Sequence, residues 1–223
     1  MPEFKVVVSD PRAKAGSPVK RVKVRGNPEI ELSQDEKEGR RLPVCRLSGK
    51  LLRELEAELG IVTLRIRTED KKVNITCRAV VDDSLPEDEV QVSLELLGEK
   101  VGAEEAEAEA FRAKAWQVTV TDPEASRLLG LKIGDRFEGG IVGLPGFMLE
   151  IRGGSDSSGF PMHPAVQGPV KKRVLLSGPP GFHPRERGER RRKMVRGNTI
   201  GPDIVQVNTK LVYPPGFKPV YEH

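Results

Sequence analysis

GGSDSSGFPM at residues 153–162 and GERRRKMVRGN at residues 188–198 frame the part of the sequence around which the rest of the chain is organised. The first stretch is rich in Gly, Ser and Pro and predicts a loop, and the second is a basic run. Between residues 171 and 196 there are ten Lys or Arg residues and two Glu residues, a local charge of +8. Such a density of positive charge repels itself unless anions neutralise it. The pattern therefore predicts a surface for polyanions, with a solvated charged loop as the alternative interpretation.

A proline-rich segment, PPGFHP at residues 179–184, interrupts these basic residues. It places an aromatic ring and an imidazole inside the charged stretch, as segments that bind RNA often do. Glycines nearby let the backbone approach a partner closely. We predict that Arg190, Arg191, Arg192, Lys193 and Arg196 form the centre of an RNA contact. The other predicted RNA-binding residues are Lys171, Lys172, Arg173, Arg185, Arg187, Gly153, Gly154, Gly159, Phe160, Phe182 and His183.

Four blocks of this region occur in an order that resembles a known family. They are GGSD (153–156), GFPM (159–162), RVLLS (173–177) and GERRRK (188–193), the last followed by VRG (195–197). Together they resemble the signature of the sixth eukaryote-type protein of the small ribosomal subunit, a family of archaea and eukaryotes. The resemblance extends over residues 116–212, and FKVVVSDP (4–11) resembles the first strand and turn of the family.

The resemblance implies a structural role in the small ribosomal subunit. It implies a compact β-barrel, built from the first strand and the second half of the chain, that binds ribosomal RNA. The implied partners are this RNA and neighbouring ribosomal proteins, in the cytoplasmic ribosome, with no cofactor and no small-molecule substrate. Contact is expected with phosphates and RNA shape and not with base edges. The basic C-terminal helix with phosphorylatable serines that eukaryotic members carry is absent from this sequence, so their kinase regulation is not expected here.

Residues 18–113 have no counterpart in the short archaeal form of this family and differ in charge from the second half. Residues 28–116 contain 21 acidic and 14 basic residues, whereas residues 151–223 contain 13 basic and 5 acidic residues. We predict a mainly β chain with short helices. Its predicted parts are a first strand (1–17), an inserted acidic β-rich domain (18–113), a parent β-barrel with RNA-binding loops (114–212) and a Pro-rich extended tail (213–223). The tail is expected to be disordered in the free protein.

Local patterns predict the elements of these parts. Alternating apolar residues predict strands at 19–24, 90–97 and 203–212, and an antiparallel pair at 61–67 and 73–81. The basic side chains of 19–24 are interpreted as protection of an edge strand. Ser48, followed by leucines at helical spacing, predicts a helix that ends near Gly60. Residues 99–115 alternate Glu with Ala, and their helix propensity favours a solvated helix or an acidic linker.

Catalytic and metal-binding patterns fail at identifiable positions. GSDSSG (154–159) has the glycine spacing of a phosphate-binding loop, but Phe160 and Pro161 stand where Lys and Ser or Thr are required. The histidines form no His-Glu-x-x-His motif and the two cysteines no Cys-x-x-Cys pair, so no metal site is expected. No apolar stretch reaches the roughly 18 residues of a membrane span, and no membrane partner is expected. The sequence thus favours a protein that is not an enzyme.

Two other functions remain open from the sequence alone. In one, the acidic residues 18–113 form a protein-interaction module that recruits a basic partner. In the other, the chain is a free RNA-binding regulator of translation. Few Asn and Gln, together with many Glu, Arg, Val and Pro, indicate a heat-adapted source, which the family resemblance suggests is archaeal.

Overall fold

The computed structural model describes residues 2–13, 16–68 and 71–222, which form two compact units. We call residues 2–9 and 117–214 the sheet unit, and the described residues of 10–116 and 215–222 the barrel unit. The helices are α1 (Gln34–Lys37), α2 (Gly49–Glu54) and α3 (Leu94–Val101), with 3₁₀ turns at Ala125–Leu128, Gly139–Val142 and Val220–Glu222. The strands are β1 (Phe4–Ser9), β2 (Val19–Asn27), β3 (Val44–Leu47), β4 (Ile61–Arg67), β5 (Lys72–Val81), β6 (Glu89–Ser93), β7 (Glu105–Arg112), β8 (Ala115–Val120), β9 (Arg136–Glu138), β10 (Met148–Asp156), β11 (Lys171–Leu176), β12 (Arg191–Arg196) and β13 (Ile204–Val212).

Six strands close into a barrel in the order β2-β6-β3-β5-β4-β7. Alternate side chains of each strand point into a closed barrel and form its core. Val24, Leu64 and Val92 are among the buried residues of this core, as are the free thiols Cys45 and Cys77. The predicted antiparallel pair is confirmed as β4 and β5. The predicted mainly β fold with short helices is confirmed, since the described residues form thirteen strands and only three α-helices.

The Glu/Ala segment forms β7, a strand of the barrel, and the helix or linker predicted from its composition is wrong. Ala108 and Ala110 are buried inside the barrel, while the alternating Glu105, Glu107 and Glu109 are more exposed. Both residue types have high helix propensity, but their period of two matches a strand. Small alanine side chains also fit a crowded barrel interior. Periodicity therefore outweighed propensity.

Three further local predictions differ from the structure in part. Ser48 caps a helix as predicted, accepting a hydrogen bond from the N–H of Leu51 at 3.3 Å, but α2 ends at Glu54. The strand predicted at 90–97 ends at Ser93, where α3 begins. The C-terminal segment was expected to be disordered, yet the N–H of Val220 donates to the Glu58 carbonyl at 2.9 Å. Tyr221 packs on the barrel core, so the tail belongs to the barrel unit.

The sheet unit contains five strands in the order β8-β1-β13-β10-β9. β13 is central because β1 pairs with it in parallel and β10 pairs with it antiparallel. The second half of the chain was expected to form a closed barrel with the first strand, whereas the closed barrel lies in residues 19–112. One edge strand, β9, has only three residues and pairs along one end of β10.

Candidate nucleic-acid interface

The predicted basic stretch folds as an antiparallel hairpin of β11 and β12, which pair along their whole length from Lys171 opposite Arg196 to Leu176 opposite Arg191. We call these two strands the basic hairpin. Leu176 and Val195 pack with Phe182 in a small core of their own, against which Val166 and Val174 also rest. Val174, Leu176 and Val195 share one face of the hairpin by register, and this face is therefore partly buried.

The proline-rich segment returns to the hairpin and forms the underside of this core. Phe182 is only 6% exposed, so its ring holds the segment in place and is not available to a base. Gly181 has a positive φ of 91°, and a Cβ there would lie 3.2 Å from Pro161 Cγ and 3.3 Å from Val195 Cγ1. Glycine is therefore required at this close approach. His183, the next residue after Phe182, is exposed.

Arg196 was predicted at the centre of the RNA contact, but the structure gives it a different role. Its side chain is buried, and its Nη2 donates to Asp203 Oδ2 at 2.9 Å. The backbone at Arg196 is also bonded, since its N–H donates to the Pro161 carbonyl and its carbonyl accepts from His163 N–H, both at 2.9 Å. Arg196 thus fixes the base of the hairpin and does not extend from the surface.

The glycine-rich loop is tied to the hairpin through Asp156. This buried carboxylate accepts hydrogen bonds from the N–H groups of Ser158 at 3.0 Å and Phe160 at 2.8 Å. Its other oxygen lies 3.6 Å from Lys171 Nζ, and that ammonium sits 4.4 Å from the centroid of the Phe160 ring. The Lys171 ammonium therefore lies over one face of the Phe160 ring, and this ring is half-buried.

The three predicted glycines serve different purposes. Gly153 and Gly154 are in β10 and not in a loop as predicted. A Cβ on Gly154 would lie 2.2 Å from the Gln206 carbonyl oxygen, so Gly154 permits the close pairing of β10 with β13. A Cβ on Gly153 or Gly159 would meet no atom within 4 Å. Only these two leave open space where a partner can approach.

Glu189 orders the loop at the tip of the hairpin. It accepts from the backbone N–H of Arg185 at 2.7 Å and pairs with Arg191, whose Nε lies 2.7 Å from its Oε1. The Arg185 N–H hydrogen bond, followed by the positive charge of Arg191, lowers the pKa of Glu189 below its ordinary value of 4.5. Glu189 therefore stays ionised and partly neutralises one arginine of the predicted triplet.

The remaining predicted cations share two properties: all are exposed, and none has a carboxylate oxygen within 4.0 Å in the described part of the chain. They are Lys172, Arg173, Arg185, Arg187, Arg190, Arg192 and Lys193. Because like charges this close raise the local potential, the hairpin and its tip loop attract anions. Sequence reasoning found these residues but missed Asp156, Asp203 and Glu189, which order the surface. Only the spacing of Asp156 to the following Gly/Ser turn gave any signal for them.

The described residues 2–13, 16–68 and 71–222 contain no group of three or more His, Cys, Asp or Glu side chains placed to hold a metal ion. Within the same ranges, none of the helices has the length and apolar character needed to cross a membrane.

Comparison with known proteins identifies the family. The family model for ribosomal protein S6e matches residues 108–222. The chain is 69% identical to the small ribosomal subunit protein eS6 of Hyperthermus butylicus, covering 96% of this chain and 99% of that protein. It is 54% identical to the protein of the same name from Staphylothermus marinus, covering 96% of this chain and 100% of that protein. The chain belongs to the ribosomal protein S6e family.

Membership in the S6e family decides several predictions at once. The chain is a ribosomal protein of the small subunit with a structural role, and the prediction that it is not an enzyme is confirmed. The predicted location in the cytoplasmic ribosome is confirmed on the same ground. The S6e model begins only at residue 108, whereas both relatives match nearly the full chain. The barrel residues are therefore shared with these relatives.

A similarity to a solved structure adds nothing to this assignment. The computationally designed protein msDPBB_sym2 aligns over its whole length with 43% of this chain, at 14% identity and a TM-score of 0.32. Values this low support no conclusion about fold or function.

Proposed function

We propose that this S6e protein binds and stabilises the RNA of the small ribosomal subunit through the basic hairpin and its tip loop. The observation that carries the proposal is the set of exposed hairpin cations without carboxylate partners, among them Arg190, Arg192 and Lys193. Arginine and lysine in this state are suited to pair with backbone phosphates. RNA is the polyanion that a ribosomal protein meets.

The surrounding residues divide into those that touch RNA and those that hold the surface. Lys172, Arg173, Arg185 and Arg187 extend the contact on both sides of the centre, and Gly153 and Gly159 leave room for the RNA backbone to approach. In contrast, Arg196 and Phe182 support the hairpin from beneath. Neighbouring ribosomal proteins are expected as further partners, since a protein of this size contacts more than RNA in a packed particle.

The salt dependence of RNA binding by the full chain tests the electrostatic part of the proposal. If about six phosphates are neutralised, the logarithm of the affinity falls with the logarithm of the salt concentration at a slope of about −4 to −5. We expect fluorescence anisotropy between about 0.05 and 0.2 M salt to give this slope. A slope near zero would contradict the proposal.

Sedimentation of cell lysate in a sucrose gradient tests the site. Replacing Arg190, Arg191 and Arg192 by Ala is expected to move the protein from small-subunit fractions to the top of the gradient, while its far-UV circular dichroism stays unchanged. The matched control replaces Arg21, Lys23 and Arg25 by Ala. It removes the same charge from exposed positions on a strand of the barrel. The control is expected to stay with the subunit. Equal loss in both variants would show that net charge, and not the hairpin, directs assembly, and a wild-type protein at the top of the gradient would favour a free regulator.

A further inference from the structure

The basic hairpin has an outer face, which we define as Arg173, Leu175, Arg192 and Met194. Residues opposite each other in an antiparallel pair share a face, and Leu175 stands opposite Arg192 while Arg173 stands opposite Met194. The small core around Phe182 lies on the other face, with Val174, Leu176 and Val195. Leu175 is 59% exposed and Met194 is half-buried. Two apolar side chains thus lie between two arginines that lack carboxylate partners.

The Phe and Tyr side chains near this face are poorly exposed for stacking on bases. All residues of 117–214 are described, and their five Phe and Tyr rings are buried or half-buried. Phe182 is in the hairpin core, and Phe160 is covered by the Lys171 ammonium. Phe147 and Tyr213 pack against each other edge to face at 5.7 Å. Proteins that bind single-stranded RNA stack its bases on exposed aromatic rings, whereas no Phe or Tyr ring of the sheet unit is fully exposed and only the imidazole of His183, in the tip loop, is.

An RNA double helix needs no stacking partner, and its phosphates complement the charge of the outer face. The A-form helix has a wide and shallow minor groove that displays ribose groups between two rows of phosphates. A two-stranded ribbon of six residues per strand is roughly 20 Å long, since strands rise about 3.3 Å per residue. On such a groove, Leu175 and Met194 meet ribose carbons while Arg173 and Arg192 reach phosphates.

We propose that the outer face of the basic hairpin binds double-stranded A-form RNA across its minor groove. This inference rests on the proposed function and specifies the form of RNA that the site accepts. It also assigns contacts with RNA to Leu175 and Met194, two apolar residues that an argument from charge would not identify. A protein partner is the competing occupant of an apolar face, but the flanking arginines without carboxylates favour a surface with regular negative charge.

The first test compares RNA forms with the full chain at one fixed salt concentration. The probes are a blunt RNA duplex of about 16 base pairs, a uridine 16-mer and the DNA duplex of the same sequence. We expect the RNA duplex to bind about tenfold more tightly than the single strand, and more tightly than DNA, because DNA lacks the 2′-hydroxyls and the wide shallow groove. RNA binding with the expected salt slope but equal affinity for both RNA forms would overturn this inference and leave the proposed function standing. No binding to any RNA would overturn both.

The second test distinguishes the two faces of the hairpin. The double variant R173Q/R192Q removes the outer cations, and K172Q/K193Q removes two equally unpaired cations from the opposite face. Both lose the same charge, so a purely Coulombic account predicts equal effects. We expect the outer pair to lose about tenfold in duplex affinity and the other pair about threefold or less, because arginines in contact with phosphates contribute charged hydrogen bonds.

The third test concerns the apolar contact alone. Leu175→Asn keeps the charge and the exposed position, and we expect about fivefold weaker duplex binding from the lost contact with ribose carbons. Circular dichroism of each variant confirms that the hairpin variants are folded. Wild-type duplex affinity in both L175N and R173Q/R192Q would overturn the inference.

Discussion

Strand β2 of the barrel unit and strand β12 of the sheet unit carry similar positive charge, but the residues paired with these cations differ between the two strands. On β2, Arg21, Lys23 and Arg25 stand directly opposite Glu109, Glu107 and Glu105 of β7. On β12, by contrast, Arg191, Arg192 and Lys193 stand opposite Leu176, Leu175 and Val174 of β11. Opposite charges in register stabilise a sheet. On β12, Arg191 pairs with Glu189 beside it, whereas Arg192 and Lys193 have no carboxylate oxygen within 4.0 Å among the described residues. Basic residues in a strand therefore reveal their role only through the strand that pairs with them.

The burial of the basic side chains also differs between the barrel unit and the hairpin. In the barrel unit, Arg112 is 4% exposed, donates from Nε to Asp10 Oδ2 at 2.9 Å and from Nη1 to the Glu56 carbonyl at 2.8 Å, and lies near Glu58. The hairpin cations that we assign to RNA make no such contacts. Charge in the barrel unit therefore helps to hold the fold together, whereas the exposed charge on the hairpin has the unpaired state that the proposed RNA interface requires.

The largest expected effect follows from removing the buried arginine. Arg112→Ala removes a cation that lies 2.8 Å from the buried Asp10 carboxylate, and this loss is expected to lower the free energy of unfolding by about 3–5 kcal/mol. Urea unfolding, followed by circular dichroism, measures this change. The matched variant Arg192→Ala, on the hairpin, is expected to leave the unfolding midpoint unchanged and to weaken RNA binding. If the two variants were equally stable, the division between structural and free charge would be wrong.

An intermediate effect is expected from Arg196, a hairpin residue that is buried and paired with a carboxylate, as Arg112 is in the barrel unit. Arg196→Ala loses a charged hydrogen bond and its packing, but it leaves Asp203 largely exposed and solvated. The expected loss is about 1–3 kcal/mol in the free energy of unfolding, less than for Arg112. Arg190→Ala, at an exposed position, is the control in the same urea titration and is expected to lose none. A stable Arg196→Ala protein with weak RNA binding would instead return Arg196 to the contact surface.

The smallest effect concerns the order of the tip loop and depends on pH. The Arg185 N–H hydrogen bond lowers the pKa of Glu189, so its ordering contribution is present above the ordinary value of 4.5. The contribution is lost as the pH falls through the lowered folded value. We expect the amide proton shift of Arg185, followed by NMR, to titrate with a midpoint below 4.5. Glu189→Gln is the control and removes this titration. A midpoint above 4.5 would mean that Glu189 does not order the loop.

Much of the candidate site followed from local pattern, because composition alone locates a basic surface. Residues 171–196 carry their excess charge in any fold, and the blocks around Gly153 and Arg190 are specific enough to indicate a family. Pattern also gave the β4–β5 pair, whose two alternating runs are joined by a short polar turn. Helix propensity, however, misassigned β7, because the alternating glutamates and alanines required a barrel interior to favour the strand.

The sequence by itself determined where the positive charge lies and that strands dominate the chain. Only the tertiary structure decided which charges are free, because an ion pair depends on the partner that the fold brings within reach. It joined Arg196 to Asp203 and Lys171 to Asp156, and it buried Phe182, which was predicted to contact RNA, in the core of the hairpin. It also placed the closed barrel in residues 19–112. The pairing of strands that are distant in the chain cannot be predicted from local sequence patterns. That pairing decides which cations form ion pairs within the fold and which remain exposed for the proposed RNA contact.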